Sequence, residues 1–285
     1  MIIVKQKNWE QSAIHASNLS ELYLALGDVT SAQEYGEQCV NFADRSGDGF
    51  QRETKRVRHA DALYQAGKIN SAEKLYIEAE NMQKKREPES PYLYSHQGFL
   101  FCDLLLSMGK YPEVLERAQT TIKYEDEGWY APLDIALDKL SIGKALMLLG
   151  EFIESEKYLS QSVDGLRESE NQDEIPRGLL VRAILYRYKK DFLKSWADLD
   201  EAKEIAECGQ MRLHLTDYHL EACRNIKAQL SAKDYQIIED GQNLSLTKEQ
   251  MQAKFTEHFK QAERLVNETG YHRRDTEVEE LRGGI

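Results

Sequence analysis

The densest group of side chains able to do chemistry runs from Met211 to Glu221. On a helix His214, Asp217 and Glu221 fall on one face, at i, i+3 and i+7, while His219 points well away from them. An imidazole beside two carboxylates could hold a divalent metal or serve in acid–base work. The spacing is not HExxH, which sets two imidazoles on one face with a glutamate between them. The competing reading is structural: His214 packs against a neighbouring helix pair and hydrogen-bonds a carboxylate. His59 falls where a side chain faces the helix stack and reads as a core histidine. No GxxxxGK[ST] or GxGxxG phosphate loop and no GxSxG elbow occurs, and no serine stands beside a histidine in a recognisable arrangement. The sequence makes no case for an enzyme, and no cofactor is expected.

The elements that must position these residues follow from the bulk properties. With only 5 prolines, 30% charged and 41% apolar residues in 285, the chain fits an all-helical protein. Its 37 basic and 49 acidic groups give a net charge of −12, which disfavours nucleic acid and anionic membrane surfaces as partners. The run Arg52, Lys55, Arg56, Arg58 is a candidate basic patch, with a solvated helix face beside acidic rows as the plainer reading. Cys39, Cys102, Cys208 and Cys223 are scattered without a CxxC pair, against a zinc ribbon or a disulfide framework. No apolar stretch approaches the ~20 residues that span a bilayer. The start, MIIVKQKNWEQ, lacks the blocks of a signal peptide, so a cytoplasmic location is expected.

Five short turns recur along the chain, at Gly27, Gly67, Gly109, Gly150 and Lys190, with intervals of 40, 42, 41 and 40 residues. A fixed period in this range predicts a stacked array of helix pairs. Aligned on the turn, the units keep size classes in phase. Seven residues before it stand Ser20, Ala60, Cys102, Gly143 and Ala183, all small. Four before it stand Tyr23, Leu63, Leu105, Leu146 and Tyr186, all bulky. Five after it come Ala32, Ala72, Val114, Ser155 and Ser195, and twelve after it Cys39, Ala79, Thr121, Ser162 and Ala202. Small residues at fixed places let antiparallel helices approach closely, and the bulky ones fill the space between pairs. The glycines suit a left-handed turn after each first helix. Thr30 with Gln33 and Asn70 with Glu73 read as caps of second helices, and Pro112 as a first-turn proline.

This pattern resembles the tetratricopeptide repeat over roughly residues 10 to 205. It departs from the family in its longer period, against the usual ~34, in lacking the first-helix tryptophan, and in Lys190 where glycine is expected. The resemblance implies an all-α, tetratricopeptide-like α-solenoid of antiparallel helix pairs in a right-handed superhelix, a single domain over 1–285. The repeats are expected at 13–46, 53–86, 95–128, 136–169 and 176–209. A divergent sixth pair, 211–269, opens its second helix with a Thr247–Gln250 capping pair and carries an inserted loop, 231–246, with an apolar Tyr235–Ile238 segment. A tail, 270–285, follows a Gly270 cap, and its His272-Arg273-Arg274 cluster suits a neighbouring domain or an anionic ligand. This ending is similar to the C-terminal arrays of bacterial signalling proteins.

In the family's geometry the first helices line a concave groove. One residue past the small position stand Glu21, Asp61, Asp103, Lys144 and Ile184, so three acids in successive repeats would form a negative stripe able to steer a basic peptide. Tyr64 and Phe99 would supply buried contact area. The plainer reading is ordinary surface charge. The leading expectation is therefore a protein–protein interaction scaffold or adaptor, binding a protein or peptide partner of basic character at Glu21, Asp61, Tyr64, Phe99, Asp103 and Lys144. The alternative is a sensor region of a larger bacterial signalling protein, a STAND-type ATPase, with a homodimer or N-terminal partner domain covering the first helix. The third is a metal-dependent enzyme or small-molecule binder using His214, Asp217 and Glu221.

Overall fold

A computed structural model describes residues 8–123 and 131–283; positions 124–128, expected to end the third repeat, lie outside them. The described residues form thirteen α-helices and one hairpin. Five helix pairs come first: α1 (Trp9–Leu26) with α2 (Val29–Ser46), α3 (Gly49–Gln65) with α4 (Ile69–Arg86), α5 (Ser95–Ser107) with α6 (Tyr111–Thr121), α7 (Pro132–Leu148) with α8 (Phe152–Glu168), and α9 (Ile175–Tyr188) with α10 (Phe192–Cys208). The sixth pair, α11 (Arg212–Ala232) and α12 (Lys248–Thr269), is interrupted by strands β1 (Gln236–Glu239) and β2 (Gln242–Ser245). A 3₁₀ turn (His272–Arg274) and α13 (Asp275–Arg282) end the chain. Each helix packs on the next, and first helices also touch the first helices of adjoining pairs. The fold is an all-α solenoid.

The size pattern is the packing. Ser20, Ala60 and Ala183 at the first small position are fully buried, as are Ala32, Ala72, Val114, Ser155 and Ser195 at the second. A Cβ on Gly143 would stand 2.6 Å from Leu159 Cδ2 of the partner helix. Serines at these crossings also tie each pair together. Ser20 Oγ donates to the Ala32 carbonyl at 2.7 Å, Ser155 Oγ to that of Gly143 at 2.8 Å, and Ser195 Oγ to that of Ala183 at 2.9 Å. A hydroxyl at either small position reaches the other helix because the backbones are already close.

The turns repeat one conformation. Gly27, Gly67, Gly109 and Gly150 have φ of 77°, 75°, 76° and 86°, and Lys190 adopts the same left-handed state at 60°. Two expected caps are corrected. The second helices begin two residues earlier, at Val29 and Ile69; Asp28 accepts from Ser31 N–H, and Lys68 precedes α4 without a side-chain cap. The left-handed glycine re-aims the chain at once, which leaves Thr30 and Asn70 inside the first turn. Thr247 and Gln250 do form a full capping box on α12. The basic run on α3 is dispersed in ion pairs, Arg52 and Arg56 with Asp44 and Arg58 with Glu21. His59 packs on Gly36 of α2, and burial holds its pKa below the ordinary value.

The inserted segment is a two-residue hairpin. Asp240 and Gly241 both have positive φ, 50° and 72°, as a tight turn between right-twisted strands requires. Asp200 on α10 accepts their two N–H groups at 2.9 and 2.7 Å. Buried Gln229 takes the Trp196 indole N–H at 2.8 Å and donates to the Gln236 carbonyl at 2.6 Å. The hairpin is thereby fastened to the fifth pair.

The array curls far enough to meet itself. Helix α11 contacts α1, and the 3₁₀ turn contacts α3. Leu213 packs against the small apolar cluster that Leu24, Val29, Ala32, Ala62 and Ala66 form between the first two pairs. Gly270 lies beside Val29 and Thr30, and Gly67 beneath the backbone of His272 and Arg273. The concave groove is thereby closed into a ring.

Candidate functional site

The ring encloses a cavity of about 480 Å³ walled by the six first helices, α1, α3, α5, α7, α9 and α11, and by the C-terminal segment. Each wall position follows from the small-residue crossings. Once one face of a first helix is committed to its partner, the residue after the small position turns inward. Glu21, Asp61, Asp103, Lys144 and Ile184 all line the cavity, as does Phe99. So do His214, Asp217 and Glu221, so the groove and the polar helix face share one site. Tyr64 does not line it. Its ring is 3% exposed, its hydroxyl donates to the Asp103 carbonyl at 3.2 Å, and its face is covered by Arg273.

The acidic stripe is not a free negative surface. Glu21 pairs with Arg58 at 3.1 Å. Asp103 accepts from Lys144 at 2.6 Å and from Arg273 at 2.9 Å. Burial penalises its charge, but Lys144 and then Arg273 outweigh that and hold the carboxyl far below the usual range. Asp61 differs: it is 4% exposed, accepts from Gln65 Nε2 at 2.7 Å, and has no ion-pair partner among the described residues.

The His214 face is likewise committed. Asp217 accepts from Arg274 at 2.7 Å and from the Tyr271 hydroxyl at 3.2 Å, and Glu221 pairs with Arg187. Among the described residues no group of three metal-ligating side chains forms. Among the described residues His214 makes no carboxylate hydrogen bond of the kind expected of it; burial, then Arg177, brings its pKa down to about 4. Both carboxylates are thus engaged by arginines, and all three residues belong to the cavity wall.

Several wall residues had no signal in the local sequence. Arg177 lies over the Phe99 ring at 5.6 Å and pairs with Glu174 at 2.6 Å. His96 Nε2 and Ser141 Oγ are buried without hydrogen-bond partners among the described residues. Arg273 and Arg274, read in the sequence as suited to a neighbouring domain or an anionic ligand, turn back into the chain itself, with side chains only 8% and 20% exposed. Leu106, Leu140, Met147 and Leu180 supply an apolar lining between the charged groups. No helix among the described residues is long and apolar enough to cross a membrane.

No protein-family profile and no curated protein matches the chain. Among solved structures it is similar to a Rap protein complexed with competence and sporulation factor, with a TM-score of 0.62 at 13% identity, covering 94% of this chain and 75% of that one. That likeness and the repeated helix pairs together make the chain a tetratricopeptide-like helical-repeat fold.

Proposed function

We propose that this chain is a receptor for a short peptide held in its central cavity, acting by binding rather than by chemistry. The cavity carries the proposal. Its volume suits a ligand of drug-like or short-peptide size, not a folded domain. Its wall alternates apolar side chains with polar groups, among them Ser141 Oγ, buried without a hydrogen-bond partner among the described residues, and a peptide backbone offers complementary groups. Asp61, buried and without an ion pair among the described residues, with Arg177 acting on it only at longer range, is the point at which a basic side chain or amino terminus of the ligand docks. The similar Rap structure, complexed with competence and sporulation factor, supports the same reading, and a cytoplasmic, signalling role for the chain belongs to the same proposal.

The test is mass spectrometry of molecules below about 1 kDa retained by the chain from native extract, beside Ile184→Trp, which fills the cavity, and Asp61→Asn. A short basic peptide retained by the wild type and lost from both variants is the expected result. A folded protein retained equally by all three would sink the reading. Charge reversal at Asp103 is a poor substitute, because it would crowd a third cation against Lys144 and Arg273.

A second reading has one observation of its own. Leu19, Leu22 and Leu26 form a stripe on α1 that is 36%, 51% and 40% exposed, as expected if a partner domain of a larger signalling protein covers the first helix. Binding in the cavity would then be relayed through α1, which the sixth pair also touches.

A further inference from the structure

The place where the ring closes is itself built as a binding site. Tyr64 is held rigid, its ring buried between α3 and α5 and its hydroxyl donating to the Asp103 carbonyl at 3.2 Å. The Asp103 carboxylate stands beside it with Lys144 on Oδ1 and Oδ2 left for a second donor. Gly67, at φ 75°, removes the side chain that would otherwise block approach from the α3 end; a Cβ there would meet His272 C at 3.1 Å. Into this socket the chain inserts Arg273. Its guanidinium lies 4.3 Å from the Tyr64 ring centroid and 5.5 Å from that of Tyr271, and Nη1 donates to Asp103 Oδ2 at 2.9 Å. A planar cation that stacks and donates in one plane uses this geometry; an ammonium does not.

We propose that Tyr64, Asp103 and Gly67 form a guanidinium-binding socket whose resident is the chain's own Arg273, and that this occupancy latches the C-terminal segment across the cavity. The socket recognises an arginine side chain as a chemical class. The covalent tether supplies Arg273 at high effective concentration, so the ring is closed at rest. Arg274 follows the same route one residue on, pairing with Asp217 of α11, so release of Arg273 loosens the wall from Tyr271 to Arg282 as a unit. Socket and resident both belong to this chain, so the inference stands whether or not the cavity takes a peptide.

The experiment uses the full chain and N-acetyl-arginine amide as the probe. Arg273→Ala should melt several degrees below wild type and regain most of that loss as the probe is raised through the millimolar range, saturably. N-acetyl-lysine amide should restore much less, and Arg273→Ala with Asp103→Asn should not respond. Should Arg273→Ala fail to fold, Arg273→Lys serves: hydrogen exchange over 271–282 should quicken at least tenfold while α7 and α8 keep their protection. Equal response to both amides, an equal shift in the wild type, or unchanged exchange over 271–282 in Arg273→Lys would each overturn the latch.

Discussion

Arg212 lies directly over Gly27: a Cβ built on the glycine would stand 2.7 Å from Arg212 Cβ and 3.0 Å from Thr269 Cγ2. The turn of the first pair thus touches both helices of the sixth. Gly109, in the same left-handed conformation, has nothing within 4 Å of that point. The two glycines separate local strain from closure of the ring. Gly109→Ala should cost the left-handed penalty alone, roughly 1–2 kcal/mol. Gly27→Ala should cost about 1–3 kcal/mol more, from overpacking at the seam. Equal losses in chemical denaturation would mean the ring is open in solution.

Lys190 is the converse case. It holds φ 60° where the other four turns use glycine. Lys190→Gly should stabilise the chain by about 1 kcal/mol, because glycine enters that region without the Cβ clash. A higher denaturant midpoint with an unchanged slope is the expected readout.

Gln229 joins three elements through one side chain. Gln229→Leu leaves the buried Trp196 N–H without its partner, at a cost of about 1–3 kcal/mol, and removes the bond to the Gln236 carbonyl on the exposed side of the hairpin. Hydrogen exchange over Gln236–Ser245 should lose its protection in this variant, while α1 to α4 stay unaffected. Retained hairpin protection would show that the Asp200 contacts alone suffice.

Acid sensitivity is expected from the sixth pair. His219 and His258 face each other with their Nδ1 atoms 2.9 Å apart. Burial first, then Lys203, lowers His219 to about 4; burial, then His219, lowers His258 to about 3. Both lie below the ordinary 6.5, so the unfolded chain binds more protons between the two values and stability rises with pH there. The contribution is complete above about pH 6.5 and is lost as pH falls towards the folded values. The double variant His219→Phe, His258→Phe should show a shallower decline between pH 6.5 and 4 in urea titrations. Asp103 is depressed instead, so its pairing with Arg273 should persist throughout that window.

The helix pairs, their period and the inward-facing position after each small residue were legible because they depend on local rules. Ser20 or Ala183 must be small wherever two helices cross, and the next residue then turns inward whatever lies opposite. Lys190 shows how firmly the pattern holds, since the turn keeps its shape even without glycine. The hairpin also had its signal, an Asp240-Gly241 pair between short runs containing Ile237, Ile238 and Leu244. The caps at Thr30 and Asn70 failed on a two-residue shift that local chemistry leaves open.

Closure of the ring belonged to the tertiary structure alone. It depends on a small rotation between successive pairs, summed over six of them, and each rotation is set by how particular side chains fill one crossing. No window of sequence carries that sum. The consequence is sharpest at Asp103, whose acidity was evident but whose partner, Arg273, lies 170 residues away. The sequence by itself determined that the chain is a solenoid and that the residue after each small position points inward, because helical periodicity is a local property. Whether those carboxylates wait for a ligand or already hold an arginine was decided by where the sixth pair comes to rest against the first.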